Sequence, residues 1–234
     1  MKVIILAGGL GTRISEETLD KPKPMVLIGG KPILWHIMNI YSKQGFSDFL
    51  VAGGYKWEII ETWARDLTNN WSIRVLDTGP TTQTGGRIKI CMDEYPNQAF
   101  LATYGDGVGN VNINQLISFH QEKRRIATLT AVRPPARFGH LQIVDGQVTR
   151  FGEKNQSDVG WINGGFFVLS PDVREFIHAT SEPFETGALP RLVGTGQLSA
   201  FHHFGFWQPM DTLREKQDLE SHTKDEVPPW LIGL

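Results

Sequence analysis

The chain reads as an α/β protein, a mostly parallel central sheet wrapped by helices, and three observations predict this. Five mostly apolar runs, Val3–Leu6, Phe49–Ala52, Ile73–Leu76, Phe100–Tyr104 and Thr128–Val132, have the length of strands, and Val3–Leu6 has the continuous apolarity of one buried on both faces. Segments of helical periodicity alternate with them, as the crossovers between parallel neighbours require. Glycine-bearing turns follow the first and the fourth run, at the carboxyl ends of strands, where open sheets of this kind meet their ligands.

Taken in order, Val3–Leu6 opens the sheet. Its apolar stretch stops at Gly8-Gly9 after about five residues, short of the ~7 a secretory leader carries, so it is read as a core strand. The first helix has Pro32 at its first position, Ile33, Leu34, Ile37, Ile40 and Tyr41 at helical spacing, and Gly45 as its stop, with His36, Asn39 and Lys43 assigned to the polar face. Further helices are expected over Lys56–Leu67, Thr84–Glu94 and Asn112–Lys123. Beyond residue 133 the runs become shorter and β-like, at His140–Val144, Gln147–Phe151, Ile162–Leu169 and Leu198–His203, and are expected to extend the sheet. The organisation predicted is a single domain over 1–234 in two halves, 1–133 and 134–234, the second expected to build a substrate-binding half. The apolar tail Glu226–Leu234 either docks on the body or lies in a subunit contact.

Composition narrows the partners. A chain of 234 residues can bury a sizeable core without a staple, and its single cysteine, Cys91, excludes an internal disulfide, for which a cytoplasmic, reducing setting is the simplest fit. The longest apolar runs are too short to cross a bilayer. Net charge is −2, with acids and bases interspersed, so neither a nucleic-acid track nor a membrane-binding helix is expected and small molecules remain.

The most informative stretch is Leu6-Ala7-Gly8-Gly9-Leu10-Gly11-Thr12-Arg13, ten residues ahead of Lys23 in Lys21-Pro22-Lys23-Pro24-Met25. Glycine lets main-chain N–H groups approach phosphate oxygens, and Arg13 and Lys23 add a planar fork and a point charge, a combination suited to a triphosphate. A dinucleotide fingerprint would need Gly where Ile14 stands and an acid where Ala52-Gly53-Gly54 closes the second strand. A P-loop would need Gly at Met25 and a hydroxyl at Pro32. Thr82 and Thr84-Gly85-Gly86-Arg87 resemble a second phosphate or base-contact loop, with Gly86 permitting close approach and Arg87 pointing at an anion. The alternative is an ordinary loop with a solvated arginine.

Asp106, in Tyr104-Gly105-Asp106-Gly107, follows a buried strand and can hold Mg²⁺, which takes only one or two carboxylates and fills its other sites with water and phosphate oxygens. Asp211 can be the second ligand or, equally, the cap of a helix beginning near Thr212. Glu153-Lys154 and Asn163-Gly164 offer a cation for a phosphate and a donor and acceptor for a sugar hydroxyl, or are surface residues. The histidines show no metal-binding spacing, and no nucleophile elbow exists.

Through Leu6–Glu17, Lys21–Met38, Thr84–Arg87, Thr103–Gly107, Arg137-Phe138-Gly139, Ile162–Leu169 and Gly205–Arg214, nearly the whole chain resembles the cytidylyltransferases of the sugar-1-phosphate nucleotidylyltransferase family. The resemblance implies a Rossmann-like sheet whose nucleotide-binding half is 1–133, with a smaller mixed-strand sugar- or acceptor-binding half at 134–234. It implies transfer from CTP to a sugar 1-phosphate, glucose 1-phosphate foremost, with Mg²⁺ as cofactor and a homo-oligomer as assembly. The other outcomes are UTP or dTTP as donor, a different phosphorylated acceptor, or a non-catalytic nucleotide-binding regulator. On matching positions it implies that Leu6 to Arg13, Lys23, Thr82, Gly86, Arg87 and Gly105 hold the nucleotide and that Asp106 and Asp211 hold the metal. Arg13 and Lys23 act with them in catalysis, while Tyr104, Glu153, Lys154, Asn163 and Gly164 receive the acceptor. The chain departs from that family in three places: it is shorter by roughly two dozen residues between Trp63 and Val75, Asn155 replaces a proline, and Gly187-Ala188 stands where the family has Glu-Pro.

Overall fold

The computed structural model describes residues 1–134, 140–152 and 160–234. Strand β1 (Lys2–Ala7) leads into a short helix α1 (Ser15–Thr18), a ribbon of β2 (Leu27–Ile28) and β3 (Lys31–Pro32), and helix α2 (Ile33–Ser42). There follow β4 (Asp48–Gly53), α3 (Trp57–Arg65), β5 (Ser72–Asp77), α4 (Thr84–Asp93), β6 (Phe100–Tyr104), β7 (Gly107–Gly109), α5 (Ile113–Lys123) and β8 (Ala127–Val132). The remainder comprises β9 (His140–Val144), β10 (Gln147–Gly152), β11 (Ile162–Asn163), β12 (Phe167–Leu169), α6 (Ala188–Gly194), β13 (Leu198–His202), β14 (Trp207–Pro209) and α7 (Leu213–His222).

Eight strands form one sheet in the order β11-β8-β12-β6-β1-β4-β5, with β13 paired along β8. β1 is parallel to both β4 and β6, and β5 continues the parallel set. Because the chain leaves β1 towards β4 and later returns on its other side as β6, the sheet has its switch point between β1 and β6, where a crevice opens outside the carboxyl ends. Side chains alternate along each strand. Val3, Ile5, Ala7, Phe49, Val51 and Leu101 pack with Ile33, Ile37 and Tyr41 of α2, whereas Ile4, Leu6, Leu50, Ala52, Phe100 and Ala102 pack with Ile88, Cys91 and Met92 of α4 and with Leu192 of α6. Both faces are covered, which is why these strands read as unbroken apolar runs.

Several expectations need correction. Ile162–Leu169 is two strands, not one. β11 and β12 pair antiparallel with successive parts of β8, and the chain bulges between them at Gly165 (φ +76°) and Phe166 (φ +48°). β9 and β10 do not extend the sheet but form their own antiparallel hairpin. Pro32 precedes the first helical residue, because its preceding segment is occupied by the β2–β3 ribbon. His36 is not on a solvated face: it is 6% exposed, donates Nε2–H to the Ile28 carbonyl at 2.9 Å, and meets the ring of Trp230 edge-on at 5.4 Å. The tail therefore docks on the body, with Trp230 fully buried against α2.

Candidate active site

The switch point brings together the turn after β1, the turn after β6, Arg13, Lys23, Asp106 and Asp211. Gly105 donates its N–H to the Leu6 carbonyl at 2.9 Å, and a Cβ there would stand 2.6 Å from that oxygen. Only glycine lets the turn after β6 lie flush against the turn after β1. From that turn β7 departs, and β14 pairs with it antiparallel, Pro209 opposite Gly107, with Met210 N–H donating to the Asp106 carbonyl at 2.7 Å. This pairing is what brings Asp106 and Asp211, remote in sequence, to the same place.

Lys23 Nζ lies 2.7 Å from Asp106 Oδ2 and 2.7 Å from Asp211 Oδ1, while Arg13 Nη1 lies 2.8 Å from Asp211 Oδ2. Burial alone would lower the Lys23 pKa. The two carboxylates outweigh it and hold the ammonium above its ordinary value. Asp211 does not cap α7. Thr212 does so through a capping box with Glu215, whose carboxylate also accepts the Asp211 N–H at 2.8 Å and fixes the direction of that residue. A separate ion pair, Lys216 to Glu17 at 2.8 Å, ties α7 to α1 beyond the glycine loop.

The loop itself is shaped from below. Arg87 is 4% exposed and donates to the carbonyls of Gly8 (3.1 Å) and Gly53 (2.7 Å) and to the Thr78 hydroxyl. A Cβ on Gly8 would overlap its guanidinium, and one on Gly54 would stand 2.7 Å from Nη1. Its fork is thus committed to the protein's own backbone rather than turned to an open anion. Gly86 serves packing, since a Cβ there would collide with the Thr180 backbone. Thr82 is half-buried in the turn ahead of α4. Leu10 and Arg13 are exposed, on the outer side of the loop.

Among the residues expected to receive the acceptor, Asn163 donates Nδ2–H to the Tyr104 hydroxyl at 2.9 Å, and Tyr104 in turn donates to Glu185 Oε1 at 2.6 Å. Burial, reinforced by Glu185, keeps the Tyr104 phenol protonated. The other Glu185 oxygen accepts from Thr84 at 2.6 Å. Gly164 sits beside this chain of bonds, its carbonyl accepting from Trp207 Nε1 at 2.8 Å. Glu153 and Lys154 lie outside the described residues. Glu185 was not visible as a site residue in the sequence, because Phe184-Glu185-Thr186-Gly187 is an irregular stretch without motif or period, whereas Thr84 was expected in a phosphate or base-contact loop and bonds Glu185 instead.

Two aspartate oxygens already share one cation, and both are hard donors, so the pair fits a small divalent ion that keeps most of its water. Among the described residues no group of three or more His, Cys, Asp or Glu is gathered for a metal.

A nucleotidyl transferase family pattern matches residues 2–214. The chain is 47% identical to a glucose-1-phosphate cytidylyltransferase of Salmonella typhi, with 98% of each covered, and 43% identical to a probable enzyme of the same name from Bacillus subtilis, covering 99% of this chain and 100% of the relative. Those alignments run over 254 positions against a chain of 234 residues, so at least 20 positions face gaps in this chain. Among solved structures it is similar to HddC from Yersinia pseudotuberculosis, at TM-score 0.76 and 27% identity over 94% of this chain and 98% of that one. It also shares its fold with a UDP-glucose pyrophosphorylase solved with UDP-glucose, at TM-score 0.74 and 16% identity over 97% of this chain and 99% of that one. With the glycine turn, the cations and the paired aspartates meeting at the switch point of the same sheet, the chain belongs to the nucleotidyl transferase family.

Proposed function

We propose that this protein transfers a cytidylyl group from CTP to glucose 1-phosphate, giving CDP-glucose and pyrophosphate. The observation that carries the reading is the Lys23 ammonium held between Asp106 and Asp211 beside the glycine turn, a cluster of charges suited to aligning anions. Near-full-length identity to relatives named for that reaction supports the choice of substrates.

The acceptor phosphate has a second pKa of about 6 and is a dianion at neutral pH, so no general base is needed. One of its oxygens attacks the α-phosphorus, forming the new P–O bond as the bond to the bridging oxygen breaks and pyrophosphate leaves with that electron pair. What opposes the step is repulsion between anions. The N–H groups of Gly8 to Gly11 receive the triphosphate, Arg13 and Lys23 neutralise its oxygens, and Tyr104, Asn163 and Glu185 orient the hexose. Mg²⁺, when held by Asp106 and Asp211, supplies charge neutralisation at the α-phosphate. Lys154 is assigned to the acceptor phosphate on the resemblance of its segment. Assembly as a homo-oligomer is proposed on the resemblance, with exposed Phe204 beside Trp161 as a candidate contact.

The base is the least constrained part, because HddC, at 27% identity, was also solved with GMP-PN. Pyrophosphate release measured with glucose 1-phosphate and each of CTP, UTP, dTTP and GTP is expected to favour CTP. Turnover with none of them, despite nucleotide binding, would leave a regulator. Replacing glucose 1-phosphate by other sugar 1-phosphates tests the acceptor. In Asp106→Asn, kcat is expected to fall about 10²–10³-fold with the fold intact, and wild-type turnover would remove Asp106 from the mechanism.

A further inference from the structure

We infer that Lys23 is an internal counter-ion that occupies the seat of the divalent metal, and that the arriving triphosphate opens this seat by drawing Lys23 and Arg13 onto its own oxygens. The inference rests on the reading of Asp106 and Asp211 as metal ligands. Its ground is geometric. One ammonium bridges the two carboxylates at 2.7 Å on each side, and Arg13 takes a remaining oxygen of Asp211 at 2.8 Å. Mg²⁺ requires oxygens at about 2.0–2.1 Å and cannot share this gap with an ammonium of the same sign. With two cations already on the pair, most of the charge that would attract a divalent ion is neutralised.

The two cations are held differently. The Arg13 side chain is 76% exposed and can swing off, whereas that of Lys23 is 12% exposed. The Lys23 side chain starts against the glycine turn: Gly11 lies so close that a Cβ on it would stand 3.2 Å from Lys23 Cβ. Its root therefore lies beside the loop proposed to receive the phosphates, and a rotation of the side chain carries the ammonium between the carboxylates and that loop. An ammonium pulled towards a triphosphate in that loop leaves the carboxylates in the same movement. Metal and nucleotide are then coupled through Lys23, and each raises the affinity for the other.

The test is a Mn²⁺ titration, free ion read by electron paramagnetic resonance, on nucleotide-free protein. Lys23→Met is expected to bind Mn²⁺ at least tenfold more tightly than wild type, Lys23→Arg to stay near wild type, and Asp106→Asn added to Lys23→Met to abolish the gain. Equal or weaker binding by folded Lys23→Met overturns the inference, and Lys23→Gln gives the same reading if the methionine variant does not fold. The same titration with CTP present and no acceptor separates the two ideas. A wild-type complex that holds Mn²⁺ more tightly than Asp106→Asn preserves the metal reading even if the counter-ion fails. No difference between those two complexes removes the metal reading and the inference with it.

Discussion

At Arg87 a guanidinium expected to face an anion lies instead beneath the glycine turn, donating to Gly8, Gly53 and Thr78. The residue type was informative, because a planar fork with several donors suits both tasks, but only the fold says which acceptors surround it. Arg87→Met leaves the Gly8 carbonyl without this donor and loosens the turn. A loss of about 1–3 kcal/mol is expected, read as a lower urea midpoint at unchanged m, with weaker CTP binding. An unchanged midpoint would mean that Arg87 does not brace the loop. The glycines were legible as a close approach, though Gly8 and Gly54 make room for this side chain as well as for a ligand.

Elements were legible where their periodicity is internal. β6 and β9 have the expected bounds, and α4 and α5 differ by a residue, because each carries its own apolar pattern and, for α5, its own Asn112 cap. The break between β11 and β12 was not legible, since it arises where both strands pair with β8, a contact the local sequence does not record. Asp211 shows the same limit at a helix end. Asp and Thr are both good caps, and the choice fell on Thr212, which left the Asp211 carboxylate turned to Lys23. The C-terminal segment is an element whose docking site only packing reveals. Trp230→Ala, which empties a fully buried site against His36 and Phe206, is expected to cost about 3–5 kcal/mol, and differential scanning calorimetry should register it as a lower Tm. An unchanged Tm would show that the tail contributes nothing.

Across the molecule, burial pushes the imidazoles of His36, His120 and His203 below their ordinary value of 6.5. His120 is held between the hydroxyls of Thr128 and Ser170, and His36 Nδ1 has no partner among the described residues. The unfolded chain takes up protons near pH 6.5 while the native one resists, so the unfolded state binds more protons there and stability falls as pH drops through that value. Urea midpoints between pH 8 and pH 5 should decline accordingly, and His120→Asn should flatten the decline. An identical slope in that variant would remove His120 from the linkage. The sheet also joins the two halves that the sequence divided at residue 133: β12 lies between β8 and β6, so strands from beyond residue 133 are built directly onto the sheet of the first half.

By itself the sequence determined the α/β class, the first core strand and the glycine turn with Arg13 and Lys23 close behind it, because each depends on residue type and local spacing, while it left Asp211 between ligand and cap. Tertiary structure decided what those residues face. β7 pairing with β14 put Asp106 beside Asp211, burial turned Arg87 and His36 inward, and an unpatterned loop delivered Glu185 to Tyr104. Such contacts join positions far apart in the chain, and the free energy that selects them belongs to the packed sheet and its helices rather than to any one segment.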